Sequence, residues 1–528
     1  MRASLRLVAL VGATGLLGGL LAGGPALGAA NAAAASRVTV HIKAVNRDGK
    51  VVAAQGAVLV GNEGFPIPVS TDTARVTRQT YLIGAQIPAY SGQQVTSETL
   101  VVQRVRIRAG GTIVLNARHG KRLQVKLQGA TAAEQNLIAG ACLSSPGGSD
   151  AWPVSASGSP GTPVYVVPVK SGRVAFSYLD DLQSASGESY LLTGTANGRI
   201  PSAPHYQQRV RRLARVDIAL KGGADPTASA ILTVQTGNLS SICGAGTQFG
   251  GTMFGPFSAV DYRTAGEWTT SIQTEANPPA RQGSYLYEAR RYRAGRRYSD
   301  IYGSAVIGPS RDFPEMEGNI FNFSPQAMFN DPNPQLSGGA LGATSVIALR
   351  LHGRLVRKQT FSSSCQTCFQ PTLHKAGWYQ LTDNSRRRNA GDLLSPKVSL
   401  TWRFHVRPAA PAGNWMSFPV TETIYRPAGL NMLNQAAAGG RTTLHISVDR
   451  AGDEFSPARR YRLRTVRVQM SVNGGTTWRA LRLTRRGSDW LATVPDPATG
   501  YVSLRSVVTD VHGDSSVQTI YRAYAIAG

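Results

Sequence analysis

The sequence has few cysteines, few lysines and no long apolar run beyond its first 35 residues. Four cysteines in 528 residues exclude a fold that depends on a dense disulfide framework. No later segment reaches the roughly 18 consecutive apolar residues that a membrane-spanning helix needs. Sustained helical periodicity is also missing, and the 57 glycines favour short strands joined by tight turns.

Acidic residues are scarce relative to basic ones. The chain has 56 Lys+Arg and 30 Asp+Glu, a formal net charge of +26, and only nine of the basic residues are lysines. Two interpretations of the arginine excess stay open: arginine-rich codon usage, or attraction to a polyanion. The second predicts an anionic cell-wall polymer or a polysaccharide as the partner, with nucleic acid least favoured.

The N-terminus has the pattern of an export signal. Arg2 and Arg6 precede a glycine-broken apolar run, Leu7–Leu21, and small residues such as Ala30 and Ala32 follow at cleavage-site spacing. This pattern predicts a signal peptide over residues 1–35 and a secreted protein, in the medium or on the cell wall. Export also favours disulfide formation.

Alternating apolar residues predict strands in most of the mature chain. The stretch "RVTVHIKAV" alternates, as a half-buried strand does. Arg211–Leu220 fits a helix or a strand, and the closely following Gly222-Gly223 favours the strand. Near the C-terminus, Asn473-Gly474-Gly475 predicts a hairpin. The apolar parity shifts before it, which predicts a β-bulge near Thr465.

The predicted fold class is mainly β, with several tandem antiparallel β-sandwich domains of immunoglobulin-like or jelly-roll-like type. The predicted divisions are the signal peptide (1–35), an N-terminal β-sandwich (36–127), a middle β-rich domain (128–295), a second middle β-rich domain with the Cys-x-x-Cys pair (296–427), and a C-terminal immunoglobulin-like sandwich (428–528).

No recognisable catalytic motif is present. The sequence has neither the Gly-x-Ser-x-Gly elbow nor His-Glu-x-x-His, and its eight histidines are scattered. The carboxylate pairs Asp180/Asp181 and Glu315/Glu317 are generic candidates for acid–base chemistry. Asn330, Asp331 and Asn333 suit Asx-turns better than a calcium loop. We therefore predict no catalytic residue, no metal ligand and no cofactor, while a hydrolase site assembled from distant residues stays open.

The motif "CQTCFQPTLH" can hold a metal, a redox pair or a structural disulfide. Cys365 and Cys368 with His374 supply three ligands, whereas a structural zinc site needs four. A redox pair should open a helix, but Pro371 follows closely and the flanking pattern is β. A local disulfide is favoured, and Cys365–Cys368 with Cys142–Cys243 is the simplest of three pairings.

A run of arginines is interleaved with tyrosines. Arg290, Arg291, Arg293, Arg296 and Arg297 lie among Tyr285, Tyr287, Tyr292, Tyr298 and Tyr302. This composition is typical of polyanion-binding or sugar-binding surfaces. The alternative is a solvated strand face with the tyrosines packed inward. We favour this second interpretation.

The chain resembles the non-catalytic C-terminal region of large secreted subtilisin-like serine proteases of high-GC Gram-positive bacteria. The resemblance lies in "VNRDGKVVAAQGAVLVGN" with "VVQRVRIRAGGTIVLNARHGKRLQVKL", in "YEARRYRAGRRYSDIYGSAVIGPS", and in the final stretch from "QMSVNGGTTWRALRLT" to "YRAYAI". It covers nearly the whole mature chain. The family's catalytic Asp, His-Gly-Thr-His and Gly-Thr-Ser-Met-Ala segments are missing.

The resemblance implies an exported accessory protein without protease activity. The function predicted is a non-catalytic, multidomain extracellular binding protein. Alternatives are a secreted hydrolase, or a subunit or regulator of a separate secreted protease of this family.

Overall fold

A computed structural model describes residues 37–62, 65–146, 151–223, 230–238, 248–276, 280–310, 313–340, 343–362, 369–387, 393–406, 415–418, 420–450 and 462–528. These residues form 40 strands and three short 3-10 helices, with no α-helix among them. The predicted fold class, mainly β with antiparallel sheets, is confirmed. The predicted signal peptide lies outside the described residues. No helix in the described part of the chain is long and apolar enough to cross a bilayer.

The chain divides into two compact units. The first contains the residues up to 185, 189–210 and 237–251; the second contains 186–188, 211–236 and 252–528.

The strands up to residue 209 are β1 (Val38–Val45), β2 (Val51–Val52), β3 (Gln55–Val60), β4 (Ile67–Pro68), β5 (Thr73–Val76), β6 (Thr80–Ser91), β7 (Gln94–Arg106), β8 (Gly111–Asn116), β9 (Lys121–Arg122), β10 (Gln124–Gln128), β11 (Ala133–Ser144), β12 (Ala151–Gly158), β13 (Val164–Val166), β14 (Val169–Gln183), β15 (Ser189–Ile200) and β16 (His205–Arg209). The 3-10 helices are Ala117–His119, Val210–Arg212 and Pro325–Phe329.

The strands that follow are β17 (Ala214–Leu220), β18 (Ala230–Asn238), β19 (Gln248–Gly255), β20 (Phe257–Arg263), β21 (Gly266–Ala276), β22 (Ala280–Tyr292), β23 (Arg297–Tyr302), β24 (Glu315–Glu317), β25 (Ile320–Asn322), β26 (Leu336–Gly339), β27 (Thr344–Leu351), β28 (Arg354–Ser362), β29 (Gly377–Arg386), β30 (Lys397–Val406), β31 (Trp415–Ser417), β32 (Thr421–Pro427), β33 (Gln435–Ala436), β34 (Arg441–Arg450), β35 (Leu463–Ser471), β36 (Arg479–Ala480), β37 (Thr484–Arg486), β38 (Asp489–Pro495), β39 (Tyr501–Asp510) and β40 (Ser515–Ile526).

A six-stranded sheet, β4-β3-β6-β7-β13-β9, forms the middle layer of the first unit. One of its faces packs on the small sheet around β1, through Tyr81 and Ile83. The other face packs on β11, β12 and β14, through Leu82 and Leu100. Because both faces are covered, β6 is buried almost continuously rather than at alternate positions.

The core of the second unit is a β-sandwich. One layer is a nine-stranded sheet, β28-β27-β29-β30-β40-β39-β35-β36, with β33 beside β40. The other is built from β32-β34-β38-β37 and the small sheet β25-β24-β31. Trp402, Phe404 and Leu504 of the large sheet share one hydrophobic cluster with Phe321 and Leu444 of the facing layer. Fully burying each such side chain contributes roughly 1.5–3 kcal/mol.

The same unit contains two further groups of strands. Strand β17 lies between β20, antiparallel, and β23, parallel. Strands β21 and β22 form a long hairpin that β26 extends.

Several local predictions are confirmed. Residues 214–220 form a strand, not a helix. The segment between β35 and β36 turns at Gly474 and Gly475, both with positive φ. The register of β35 against β39 shifts between Leu463 and Thr465, where the bulge was predicted.

Strand pairing crosses each predicted internal boundary. β10 pairs with β16 across 127/128, β17 with β23 across 295/296, and β30 with β40 across 427/428. These pairings depend on residues far apart in sequence, and the division of the chain into the predicted domains stays a prediction.

Candidate functional site

The structure separates the predicted arginine run into one inward and four outward residues. The Arg290 guanidinium forms an ion pair with the fully buried Asp300, and its side chain is only 19% exposed. Arg291, Arg293, Arg296 and Arg297 are exposed. Tyr292 and Tyr302 are buried, while Tyr298 is half-buried. The side chains of Tyr285 and Tyr287 lie outside the described set.

Backbone hydrogen bonds hold the turn after β22 against the start of β17. The Gly295 N–H donates to the Leu213 carbonyl at 3.1 Å, and the Arg215 N–H donates to the Arg296 carbonyl at 2.9 Å. This pairing brings exposed Arg211 and Arg212 beside the turn.

We use the name arginine cluster for the six exposed residues on these segments: Arg211, Arg212, Arg291, Arg293, Arg296 and Arg297. Arg297 contacts Asp217 at 2.5 Å, and Asp217 also accepts from Arg215 at 2.9 Å. Within the described residues, the other five form no ion pair. The doublet Arg211-Arg212 was visible in the sequence, but its proximity to the later run depends on long-range parallel pairing.

A buried polar network lies under the cluster. Arg263 donates to Asp261 at 2.8 Å and to Thr270 at 2.9 Å. The Tyr292 hydroxyl donates to Asp300 at 2.5 Å. Burial raises the pKa of Tyr292 above its usual range, so the phenol stays protonated as a donor. The Tyr292 and Tyr302 rings therefore belong to the interior.

The structure places the two predicted carboxylate pairs differently, one in the interior and one half-exposed. Asp180 and Asp181 are both buried, but as successive residues of β14 they point to opposite faces of the sheet. Burial, with repulsion from Glu134 and Asp181, raises the pKa of Asp180 to about 8. Glu315 and Glu317 lie half-exposed on one side of a three-residue strand.

The Asn330–Asn333 segment makes the expected Asx-turns. The Asp331 carboxylate accepts from the Asn333 N–H at 2.8 Å and from the Ser304 N–H at 2.9 Å. Burial raises the pKa of Asp331 to about 7. Among the described residues, no three His, Cys, Asp or Glu side chains are grouped to hold a metal ion.

Of the four cysteines, only Cys142 is described. It is buried in β11 and is disulfide-bonded. Cys243, Cys365 and Cys368 lie outside the described residues, so the pairing and the role of the Cys-x-x-Cys motif stay predictions. His374, the third ligand of the metal alternative, is exposed.

No protein-family model and no curated protein matches the chain. Among solved structures, the Bacillus anthracis TIE protein is 13% identical, with 50% of each chain covered and a TM-score of 0.12. The match therefore covers half of the length of that protein. A Ca2+-stabilized, ice-binding adhesin of an Antarctic bacterium is 9% identical, covering 90% of this chain and 100% of its own, with a TM-score of 0.13. Salmonella alpha-2-macroglobulin reacted with methylamine is 9% identical, covering 93% and 40%, with a TM-score of 0.16. Likenesses this weak carry no argument about function.

Proposed function

We propose that the protein is a secreted, non-catalytic accessory protein that binds an anionic cell-wall polymer through the arginine cluster. The observation that carries this proposal is the convergence of two arginine-bearing segments, distant in sequence, into one exposed surface. Arginine suits this role because its guanidinium is always charged and presents a rigid fork of donors to phosphate or carboxylate.

The position of the tyrosines favours an anionic wall polymer without bases over nucleic acid as the ligand. Proteins that bind single-stranded nucleic acid combine arginine with exposed aromatic rings on which bases stack. Here Tyr292 and Tyr302 are buried, and Tyr298 packs edge-on against Tyr292 at 4.9 Å. Among the described tyrosines of this surface, none is fully exposed as a platform for stacking bases.

The resemblance to accessory regions of secreted subtilisin-like proteases supports the non-catalytic, accessory part of this proposal. Such a protein would present a polymer-binding surface without catalysis, alone or beside a separate secreted protease. Co-purification from culture medium tests the second arrangement.

The primary test is retention of the purified protein on cell-wall sacculi across a salt series, with sacculi stripped of anionic polymer as a reference. Retention should fall steeply with salt and disappear on stripped sacculi. The triple variant R291Q/R293Q/R296Q should lose most retention at about 0.15 M salt.

The matched control is R441Q/R482Q/R486Q, which removes three equally exposed arginines elsewhere in the second unit. Equal losses in the two triples would mean that net charge, not the cluster, governs binding. Retention unaffected by salt or by stripping would reject the proposal.

A further inference from the structure

The nine-stranded sheet has one face in the core and one face in solvent. Along β29 and β30, buried and accessible residues alternate strictly. Leu381 and Trp402 point into the sandwich, whereas Thr382 and Arg403 point away from it. We call this second side the outer face.

Cations dominate the outer face. They include six residues from five strands that are exposed or half-exposed: Arg350, Arg386, Lys397, Arg403, Arg467 and Arg505. The nine strands contain only two carboxylates, Asp383 and Asp510, and both are buried. Within the described residues, none of the six cations forms an ion pair. Their charges are therefore not neutralised by a carboxylate among the described residues, although Arg403 also donates to the Gly513 carbonyl at 3.1 Å and Arg505 to the Thr519 hydroxyl at 3.3 Å.

Aromatic rings hold three of these cations in place. The Arg403 guanidinium lies 3.9 Å from the ring centroid of Trp378, and that of Arg505 lies 4.0 Å from Trp478. The Lys397 ammonium lies 4.6 Å from the Tyr521 ring. Such contacts limit side-chain freedom, so less entropy is lost when an anion binds.

A neutral, hydrogen-bonding strip separates the cations at the two ends of this face. Arg386 and Lys397 are paired opposite each other at one end, and Gln380 pairs with Arg403 at the other. Arg403 follows Lys397 by six positions along β30, which is about 20 Å at the rise of a strand. Between them lie Thr382, Asn384, Ser399 and Thr401.

The strip offers both donors and acceptors. Thr382 and Thr401 lie directly opposite each other, and the Ser399 hydroxyl donates to the Asn384 side-chain oxygen at 2.8 Å. A ligand that fits has anionic groups spaced along a chain and hydroxyl groups between them. A continuous polyphosphate offers only acceptors, so it would match the donors of this strip but not its acceptors.

We propose that the outer face binds an acidic polysaccharide, whose carboxylates meet the cationic ends and whose sugar hydroxyls meet the Thr/Ser/Asn strip. The polysaccharide chain lies along β29 and β30. This surface is distinct from the arginine cluster, and the proposal does not depend on it.

The test is binding of the purified mature protein to polygalacturonate, with neutral dextran and inorganic polyphosphate as reference polymers. R350Q/R386Q/R403Q should weaken polygalacturonate binding about tenfold or more, since each lost charge-assisted contact contributes strongly. R441Q/R482Q/R486Q changes the net charge equally and should leave this affinity within about twofold. R291Q/R293Q/R296Q should also leave it nearly unchanged, which separates this surface from the arginine cluster.

A second variant separates recognition of sugar from recognition of charge. T382V/T401V keeps the charge and the strand-favouring shape but removes the central hydroxyls. It should weaken polygalacturonate binding several-fold and polyphosphate binding clearly less, because a sugar hydroxyl can both donate to and accept from a threonine. Unchanged polygalacturonate affinity in this variant, or equal losses in the face and control triples, would overturn the proposal. Circular dichroism of each variant verifies that the sheet is intact.

Discussion

Arg263 donates a hydrogen bond of 2.8 Å to Asp261, two residues earlier on the same strand, and the Arg263 side chain is completely buried. A buried ion pair is costly to desolvate, but removing one partner leaves an uncompensated charge in the interior. This relationship makes the region under the arginine cluster sensitive to single substitutions.

We expect Asp261→Ala to lower the free energy of unfolding of the second unit by about 3–5 kcal/mol. Denaturant titration followed by tryptophan fluorescence is suitable because buried Trp268 lies 5.8 Å from the Arg263 guanidinium. The control is Arg297→Gln, which breaks an ion pair with a 71% exposed arginine and should cost no more than about 1 kcal/mol. Similar small losses in both variants would contradict the prediction.

Asp180 should make the first unit less stable as the pH rises. Its pKa is about 8 in the folded protein, against an ordinary value of 3.8, and neither carboxylate oxygen has a hydrogen-bond partner among the described residues. Between these values the unfolded chain has released the proton and the folded chain has not. Stability therefore falls by up to about 1.4 kcal/mol per pH unit across this window.

Asp180→Asn removes that titrating carboxyl. The free energy of unfolding of the variant minus that of the wild-type protein should therefore increase from pH 4 to pH 8. Thermal denaturation across this range measures the difference. Asp48→Asn, at an exposed turn, is the control for removing a carboxyl that is not buried. If this stability difference for Asp180→Asn did not change with pH, burial would not raise the pKa of Asp180.

Asn434 should be essential to the loops at one end of the second unit. Its amide donates to the Gly222 carbonyl at 2.9 Å and the Gly303 carbonyl at 2.8 Å, and it accepts from the Ala305 N–H at 3.0 Å. Its φ of +56° lies in the left-handed region. Asn434→Gly should cost about 1–3 kcal/mol for the lost hydrogen bonds.

Asn434→Ala loses the same hydrogen bonds and adds left-handed strain, so it should cost about 1 kcal/mol more than Asn434→Gly. Urea unfolding of both variants measures the difference. If alanine were tolerated as well as glycine, the strain argument would fail.

We expect alanine substitutions at the two glycines of the turn after β35 to destabilise the protein by different amounts. A Cβ on Gly475 would lie 2.8 Å from a Tyr521 ring carbon, whereas a Cβ on Gly474 would meet nothing within 4 Å. Both have positive φ, so Gly474→Ala should cost about 1 kcal/mol. Gly475→Ala should cost about 1–3 kcal/mol more because Tyr521 must move. Thermal unfolding compares them, and equal losses would refute the steric difference.

Local patterns predicted the local structure well. The parity shift in β35 located the bulge between Leu463 and Thr465, and the strand pattern identified residues 214–220. The continuous burial of β6 follows instead from the layers on both sides of its sheet. Alternation of apolar and polar residues identifies a strand only where one face of its sheet meets water.

The candidate surfaces were predicted only in part. The arginine run was visible in the sequence, yet Arg290 turned inward because Asp300, ten residues later, is buried beside it. The cations of the outer face are scattered from Arg350 to Arg505, with no local motif connecting them. Their shared position follows from strand order and from a side-chain period of two.

The mainly β character, the turns and the bulge can be predicted from the amino-acid sequence because each depends on residues close together in the chain, and the excess of arginine is a matter of composition. Which strands share a sheet, which faces are buried and which arginines meet on one surface follow from the tertiary structure. Those outcomes depend on pairing between strands far apart in sequence, such as β30 with β40, and on how hydrophobic faces cover one another.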